Sequence, residues 1–252
     1  MNSIAIAGVG LMGASFGLAL RKAGFSGRIA GVSSPRSLET GQRIGAIDDG
    51  VSLDDAAQCD LVFLAQPISK ILETLPKLAG SSALITDAGS TKRAICRAAS
   101  GLPNFIGGHP MAGKETRGAE SADADLFRGR PWILTAEPPA MLRRWIESTG
   151  AHILVMTPEE HDRRIALASH LPQVVSNALA KVTAPAKAVG GPGLESMTRL
   201  SRSSYEIWKD IFATNRDEIA LALEEFLSEA KSLKQELEKG DSSRIGEYFE
   251  QK

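Results

Sequence analysis

The chain has 252 residues, long enough for two domains, and its formal net charge of −1 supplies no global field for nucleic acid or an anionic membrane. No apolar run approaches the roughly 18 residues that a membrane span needs, and no basic-then-apolar leader precedes the first apolar run. The two cysteines, Cys59 and Cys96, lack metal-ligand spacing and read as reduced core thiols; no metal is expected, and a cytoplasmic location is.

The first predicted strand is Ser3 to Ala7. It runs into Gly8-Val9-Gly10-Leu11-Met12-Gly13, after which Ala14 to Ala23 has a helical pattern. This is a G-x-G-x-x-G turn between a strand and a helix. Gly8 permits the tight turn, Gly10 lets the backbone approach a pyrophosphate, and Gly13 lets the helix pack closely on the strand. The N–H groups of the helix start, at Leu11 and Met12, then face the phosphates. The second strand, Arg28 to Val32, ends in Ser33-Ser34-Pro35-Arg36. An NAD site usually places a carboxylate here, about 20 residues beyond the glycines, to bind the ribose 2′-hydroxyl. Two hydroxyls and a guanidinium, Ser33, Ser34 and Arg36, suit a 2′-phosphate better, so NADP is expected ahead of NAD.

Further short apolar runs follow at Leu61 to Ala65, Ala83 to Asp87, Asn104 to Gly107, Trp132 to Thr135 and His152 to Val155. Helical patterns lie between most of them, at Ile68 to Ala79, Lys92 to Ala99 and Pro139 to Ser148. Continuous rather than alternating apolar runs belong to strands covered on both faces. The expected fold is therefore α/β, with a doubly wound parallel sheet of Rossmann type. Two stretches at strand ends have a chemical look: Asp87-Ala88-Gly89-Ser90-Thr91-Lys92 and Gly107-Gly108-His109-Pro110-Met111-Ala112-Gly113. Open parallel sheets bind ligands outside the carboxyl ends of their strands, so Ser90 and His109 point to the rim where the cofactor lies.

At Thr157-Pro158 the character changes. Pro158 suits a first helical position, with Thr157 as cap and Glu160 completing a capping box. The remainder is helical in pattern apart from Gly190-Gly191-Pro192-Gly193. The expected domains are residues 1–156, binding dinucleotide, and residues 157–252, a helical domain for dimerisation and substrate. The last long helix sets Ile219, Leu223, Phe226, Ala230, Leu233 and Leu237 in a heptad stripe, which suits packing across a homodimer.

The motifs together resemble one family. GVGLMGAS (8 to 15), DAGSTK (87 to 92), GGHPMAGKETRG (107 to 118), EEHD (159 to 162), SHLPQ (169 to 173), MTRL (197 to 200) and WKDIFATN (208 to 215) are similar to stretches of the prephenate and arogenate (cyclohexadienyl) dehydrogenases of tyrosine biosynthesis. The resemblance covers nearly the whole chain. It implies a nucleotide-binding domain followed by a helical dimerisation domain, with room here for neither a fused chorismate mutase nor an ACT domain. The implied reaction is oxidative decarboxylation: prephenate gives 4-hydroxyphenylpyruvate and arogenate gives tyrosine. Hydride leaves the ring carbon bearing the hydroxyl, and the ring carboxylate leaves as carbon dioxide. The resemblance makes His109 the base for the hydroxyl proton, a task neutral histidine suits. It makes Ser90 the partner of His109 and of the hydroxyl. Arg199 matches the arginine that grips a substrate carboxylate, and His170 and Thr116 are further substrate candidates. The chain departs from some members at Gln173, where they carry a second histidine; a glutamine serves either a keto or an amino side chain.

Two other readings set the terms of comparison. A β-hydroxyacid dehydrogenase or imine reductase shares the glycine fingerprint but usually carries a catalytic lysine or aspartate on the long interdomain helix. Here that helix offers His161, Asp162, Arg163, Arg164 and His170, with no lysine before Lys181. A non-catalytic NADP sensor has no use for Ser90, His109 and Arg199 together.

Overall fold

The computed structural model describes residues 2–240 and 242–250. It contains two compact units: residues 1–162 with 205–214, and residues 163–204 with 215–252. The stretches 157–162 and 205–214 therefore cluster with the sheet unit.

In the first unit, strands and helices alternate as β1 (Ser3–Ala7), α1 (Leu11–Lys22), β2 (Arg28–Val32), α2 (Pro35–Arg43), β3 (Asp49–Gly50), α3 (Leu53–Ala56), β4 (Leu61–Leu64), α4 (Ile68–Thr74), β5 (Leu84–Asp87), α5 (Arg93–Ala98) and β6 (Phe105–Ile106). These six strands form one parallel sheet in the order β3-β2-β1-β4-β5-β6. Two features differ from the sequence reading. The two-residue β3 carries no apolar run and left no signal. The run from Asn104 to Gly107 forms as the short β6, but the chain breaks out of the parallel sheet at Gly107, whose N–H donates to Thr135 Oγ1 at 2.9 Å. Beyond that break β7 (Gly108–Pro110) leaves the parallel sheet and pairs antiparallel with β8 (Pro131–Leu134). After α6 (Ala140–Ser148), β9 (His152–Val155) pairs parallel with β8. The last three strands thus form a second, mixed sheet, and His109 sits inside a strand rather than in a loop.

One core serves both sheets. Phe16 of α1, Phe63 of β4 and Trp132 of β8 are buried, with ring centroids 4.6 Å apart for Phe16–Phe63, 5.5 Å for Phe16–Trp132 and 5.8 Å for Phe63–Trp132. Burying each such ring contributes about 1.5–3 kcal/mol, with up to about 1.5 more for a tilted pair.

The helical region begins with α7 (Pro158–Ile165), capped as the sequence predicts: Glu160 N–H donates to Thr157 Oγ1 at 3.2 Å. The helix passes through a π-helical turn, Ala166–His170, into α8 (Leu171–Val182). Pro172 supplies the reason, because it has no N–H to give an i−4 carbonyl, and a π-turn accommodates the missing bond. In the second unit, α9 (Pro192–Thr198) and the turn after it pack against α8, where Ser201 N–H donates to Ser176 Oγ at 3.1 Å. The 35-residue helix α10 (Tyr205–Lys239) is kinked at Asn215 (φ −141°, ψ 26°), where the chain passes from the first unit to the second. A final helix, α11, spans Ser242–Glu250. Among the described residues no helix is long and apolar enough to cross a membrane.

Candidate active site

The glycine turn has the backbone that a dinucleotide requires. Gly8 adopts φ +98°, and a Cβ there would strike the Ala65 carbonyl. A Cβ on Gly13 would strike the Gly8 carbonyl, so α1 closes directly onto the turn. Gly10 has open space around it: a Cβ would meet nothing within 4 Å. It caps α1 without a side-chain hydrogen bond, leaving the first-turn N–H groups, with the positive end of the helix dipole, for an anion. The cradle fits a pyrophosphate.

The loop after β2 lies beside this turn, because Gly8 N–H donates to Val32 O at 2.9 Å. Ser33 is partly buried, while Ser34 and Arg36 are exposed. Ser34 is the N-cap of α2: its Oγ accepts from Ser37 N–H at 3.4 Å and lies 3.0 Å from Ser37 Oγ. Its hydroxyl is therefore committed to the helix.

A cavity of about 610 Å³ runs beside the start of α1. Leu11, Met12, Gly89, Ser90, Thr116 and Arg117 are among its lining residues, so it joins the cofactor turn to the DAGSTK loop. His109 itself is buried, 8% exposed.

Buried charge holds these two segments in register. Asp87, at the end of β5, accepts from Gly89 N–H at 2.8 Å through Oδ2 and from Gly108 N–H at 2.9 Å through Oδ1. Lys92 donates to Asp87 Oδ2 and, at 2.6 Å, to the Gly108 carbonyl. Both side chains are 0% exposed. An ion pair taken out of water persists only with further hydrogen bonds, which the N–H groups of Gly89 and Gly108 and the Gly108 carbonyl supply here. One carboxylate thus ties the loop bearing Ser90 to the strand bearing His109.

Behind His109 lies a second constellation. Its Nδ1 is 2.9 Å from His161 Nε2, and His161 Nδ1 is 2.7 Å from Asp162 Oδ1. Asp162 also accepts from the backbone N–H groups of Lys92 (2.6 Å) and Arg93 (3.0 Å). His161 and Asp162 are both fully buried. Burial lowers the pKa of His161, against the opposing pull of Asp162, so its ring is neutral at physiological pH. Burial alone would raise Asp162, but the hydrogen bonds from His161, Arg93 and Lys92 hold it below the usual carboxylate range. Cys96 is pushed up to about 11 by burial and is not a nucleophile at neutral pH.

Gly8, Gly10, Leu11, Met12, Gly13, Ser33, Ser34, Arg36, Ser90, His109 and Thr116 all belong to the first unit, and Leu11, Met12, Ser90 and Thr116 share its cavity. His170, Gln173 and Arg199 belong to the second unit. There His170 is buried, with Nδ1 3.3 Å from Asn215 Nδ2, and buried Gln173 donates from Nε2 to Leu200 O at 2.7 Å. Arg199 is exposed at the start of a short 3₁₀ turn. Sequence reasoning assigned no role to Asp87, Lys92, His161 or Asp162. Asp87 and Lys92 stand inside a quoted motif; His161 and Asp162 appear in EEHD and among the polar residues of the interdomain helix, without a role.

Comparison with known proteins agrees with this architecture. The model of the prephenate dehydrogenase nucleotide-binding domain matches residues 16–155, and that of the prephenate dehydrogenase dimerization domain matches residues 157–251. Prephenate dehydrogenase of Bacillus subtilis is 32% identical over 272 residues, covering 98% of this chain and 73% of its own. The crystal structure of prephenate dehydrogenase from Aquifex aeolicus, in complex with hydroxyphenyl propionate and NAD+, superposes with a TM-score of 0.88 at 30% identity, covering 99% of this chain and 95% of that one. Synechocystis arogenate dehydrogenase superposes with a TM-score of 0.85 at 29% identity, covering 99% and 96%.

Proposed function

The chain belongs to the prephenate dehydrogenase family, and from that premise we propose that it oxidatively decarboxylates arogenate, prephenate or both, using NADP in preference to NAD. The observation that carries this reading is the coupling of the glycine cradle to Ser90 through one cavity, with His109 held in register by Asp87.

When bound, the nicotinamide cofactor supplies the hydride acceptor. His109 takes the proton of the ring hydroxyl, and Ser90 orients that hydroxyl by hydrogen bonding. Departure of the carboxylate as carbon dioxide leaves an aromatic ring, which makes the step irreversible. Arg199 is the cation assigned to a substrate carboxylate, with His170 and Thr116 as further substrate contacts. Gln173 commits one amide proton to Leu200; its oxygen remains an acceptor suited to an ammonium group, which favours acceptance of arogenate. Support for NADP is local: Arg36 is exposed beside the cofactor turn, and the first turn of α2 contains no acidic residue. The protein acts as a homodimer through its helical domain.

Turnover of arogenate and prephenate, each with NADP and NAD, followed by nicotinamide absorbance, tests the proposal. The expected result is turnover of arogenate, with NADP favoured by at least about tenfold in kcat/KM, the worth of one charge-assisted contact. Absence of turnover on both substrates overturns the assignment, and equal or better efficiency with NAD overturns the cofactor preference alone.

A further inference from the structure

Asp162 receives hydrogen bonds from two backbone N–H groups, those of Lys92 and Arg93, and an ionised carboxylate can only accept. The 2.7 Å contact with His161 Nδ1 therefore requires the proton on that nitrogen. A neutral His161 protonated on Nδ1 has a lone pair on Nε2. The 2.9 Å contact with His109 Nδ1 then requires the proton on His109 Nδ1. The order of donors and acceptors is fixed from the backbone of α5 outward.

We propose that Asp162 and His161 are positioning residues for the reaction: through two hydrogen bonds in series they hold His109 in the tautomer that carries its proton on Nδ1 and its lone pair on Nε2. This rests on the reading of His109 as the base, and it specifies which nitrogen does the work. When the hydroxyl proton moves to His109 Nε2, the ring becomes an imidazolium whose Nδ1–H still donates to His161. The new positive charge faces a neutral ring backed by the Asp162 carboxylate, with Lys92 neutralised by Asp87. No proton needs to travel along the chain. The same logic governs a carboxylate-oriented histidine in a serine-protease triad, with one ring interposed.

The charged and titratable groups around His161 are Asp162, Lys92, Asp87 and His109, with Arg93 on the far side of Asp162. Imidazole ¹⁵N shifts of the protein, assigned by replacing each of the four histidines in turn, read the tautomers directly. Both His109 and His161 are expected to be Nδ1-protonated above neutral pH. A proton on Nε2 of either neutral ring overturns the proposal, whatever the identity of the base.

Asp162→Asn offers an amide N–H to His161, which reverses both tautomers and leaves His109 with its proton on Nε2. We expect kcat to fall by about 10²- to 10⁴-fold, with KM and cofactor affinity little changed. His161→Leu removes the acceptor and is expected to lower kcat at least about tenfold, whereas His161→Gln, whose oxygen can accept from His109 Nδ1–H, should recover much of that loss. Equal losses in the Leu and Gln variants would show a packing role and overturn the proposal. If neither variant folds, the native tautomers decide alone. A fully active His109→Asn variant refutes the base assignment but leaves the tautomer result standing, so the two readings fail separately.

Discussion

At His109 the reaction asks for a base held in one orientation by its neighbours, and the ring is buried against His161. Replacement by Asn keeps the size and much of the hydrogen bonding but removes the base, so turnover is expected to drop by about 10²- to 10⁴-fold while cofactor binding holds. Steady-state kinetics beside a cofactor titration checks this, and a variant with near-normal turnover refutes the assignment. His161 makes a separate prediction about stability. Its pKa lies below the ordinary 6.5 in the folded protein. Below that pH the unfolded chain takes up a proton that the folded chain resists, so stability present above pH 6.5 is lost as pH falls further. Asp162 adds a loss of the same sign only below its ordinary 3.8. Thermal melts between pH 7 and pH 5 should show a falling Tm in the native protein and a flatter profile in His161→Gln. Parallel profiles would mean that His161 does not resist protonation in the fold.

Among the elements, α2 and the loop before it are where the proposed cofactor preference is tested. Ser34 is occupied as a helix cap, so the proposed preference for NADP rests on Ser33, Arg36 and the N-terminal N–H groups of α2. Ser33→Asp with Arg36→Ala introduces a carboxylate that repels a 2′-phosphate and accepts from a 2′-hydroxyl. The preference is expected to turn from NADP to NAD, by at least about tenfold for the one lost contact. Kinetics with both cofactors on the double variant reads the outcome, and an unchanged ratio would place the discriminating contact elsewhere. The strand-end motifs behave differently. DAGSTK is legible as a ligand loop because glycine, serine and threonine at a strand's carboxyl end suit that place. Nothing in the spacing shows that its aspartate and lysine are a buried clamp; that needs Gly108 to return to the same point from β7.

On the scale of the whole molecule, apolar exposure is concentrated in the helical region. Val182, Val189, Met197, Leu221, Leu227, Leu237 and Phe249 are all exposed, and of the heptad stripe only Ile219 is fully buried within one chain. Surface of that kind is unfavourable unless a partner covers it. Charge placed at Leu223 and Phe226 together, as Asp, is expected to dissociate or unfold the protein, because unpaired charge is costly to bury. Analytical ultracentrifugation decides the point, since a native protein that sediments as a monomer at micromolar concentration removes the dimer.

The sequence by itself determined the glycine cradle, the alternation of strands and helices, the capped start of α7 and the placing of Ser90 just beyond a strand end. Each of these is written in local spacing: a glycine turn between strand and helix, a run of apolar residues, a threonine three residues before a glutamate. The tertiary structure decided where local spacing has no reach. It divided the predicted strands between two sheets after Gly107, because pairing partners and not propensity set a strand's direction. It packed residues 205–214 with residues 1–162. It set His161 against His109 across 52 positions and Asp162 against the backbone of Lys92 and Arg93 across about 70. Contacts between residues so distant in sequence have no periodicity to announce them; they exist only once the chain has folded and buried polar groups have had to find one another.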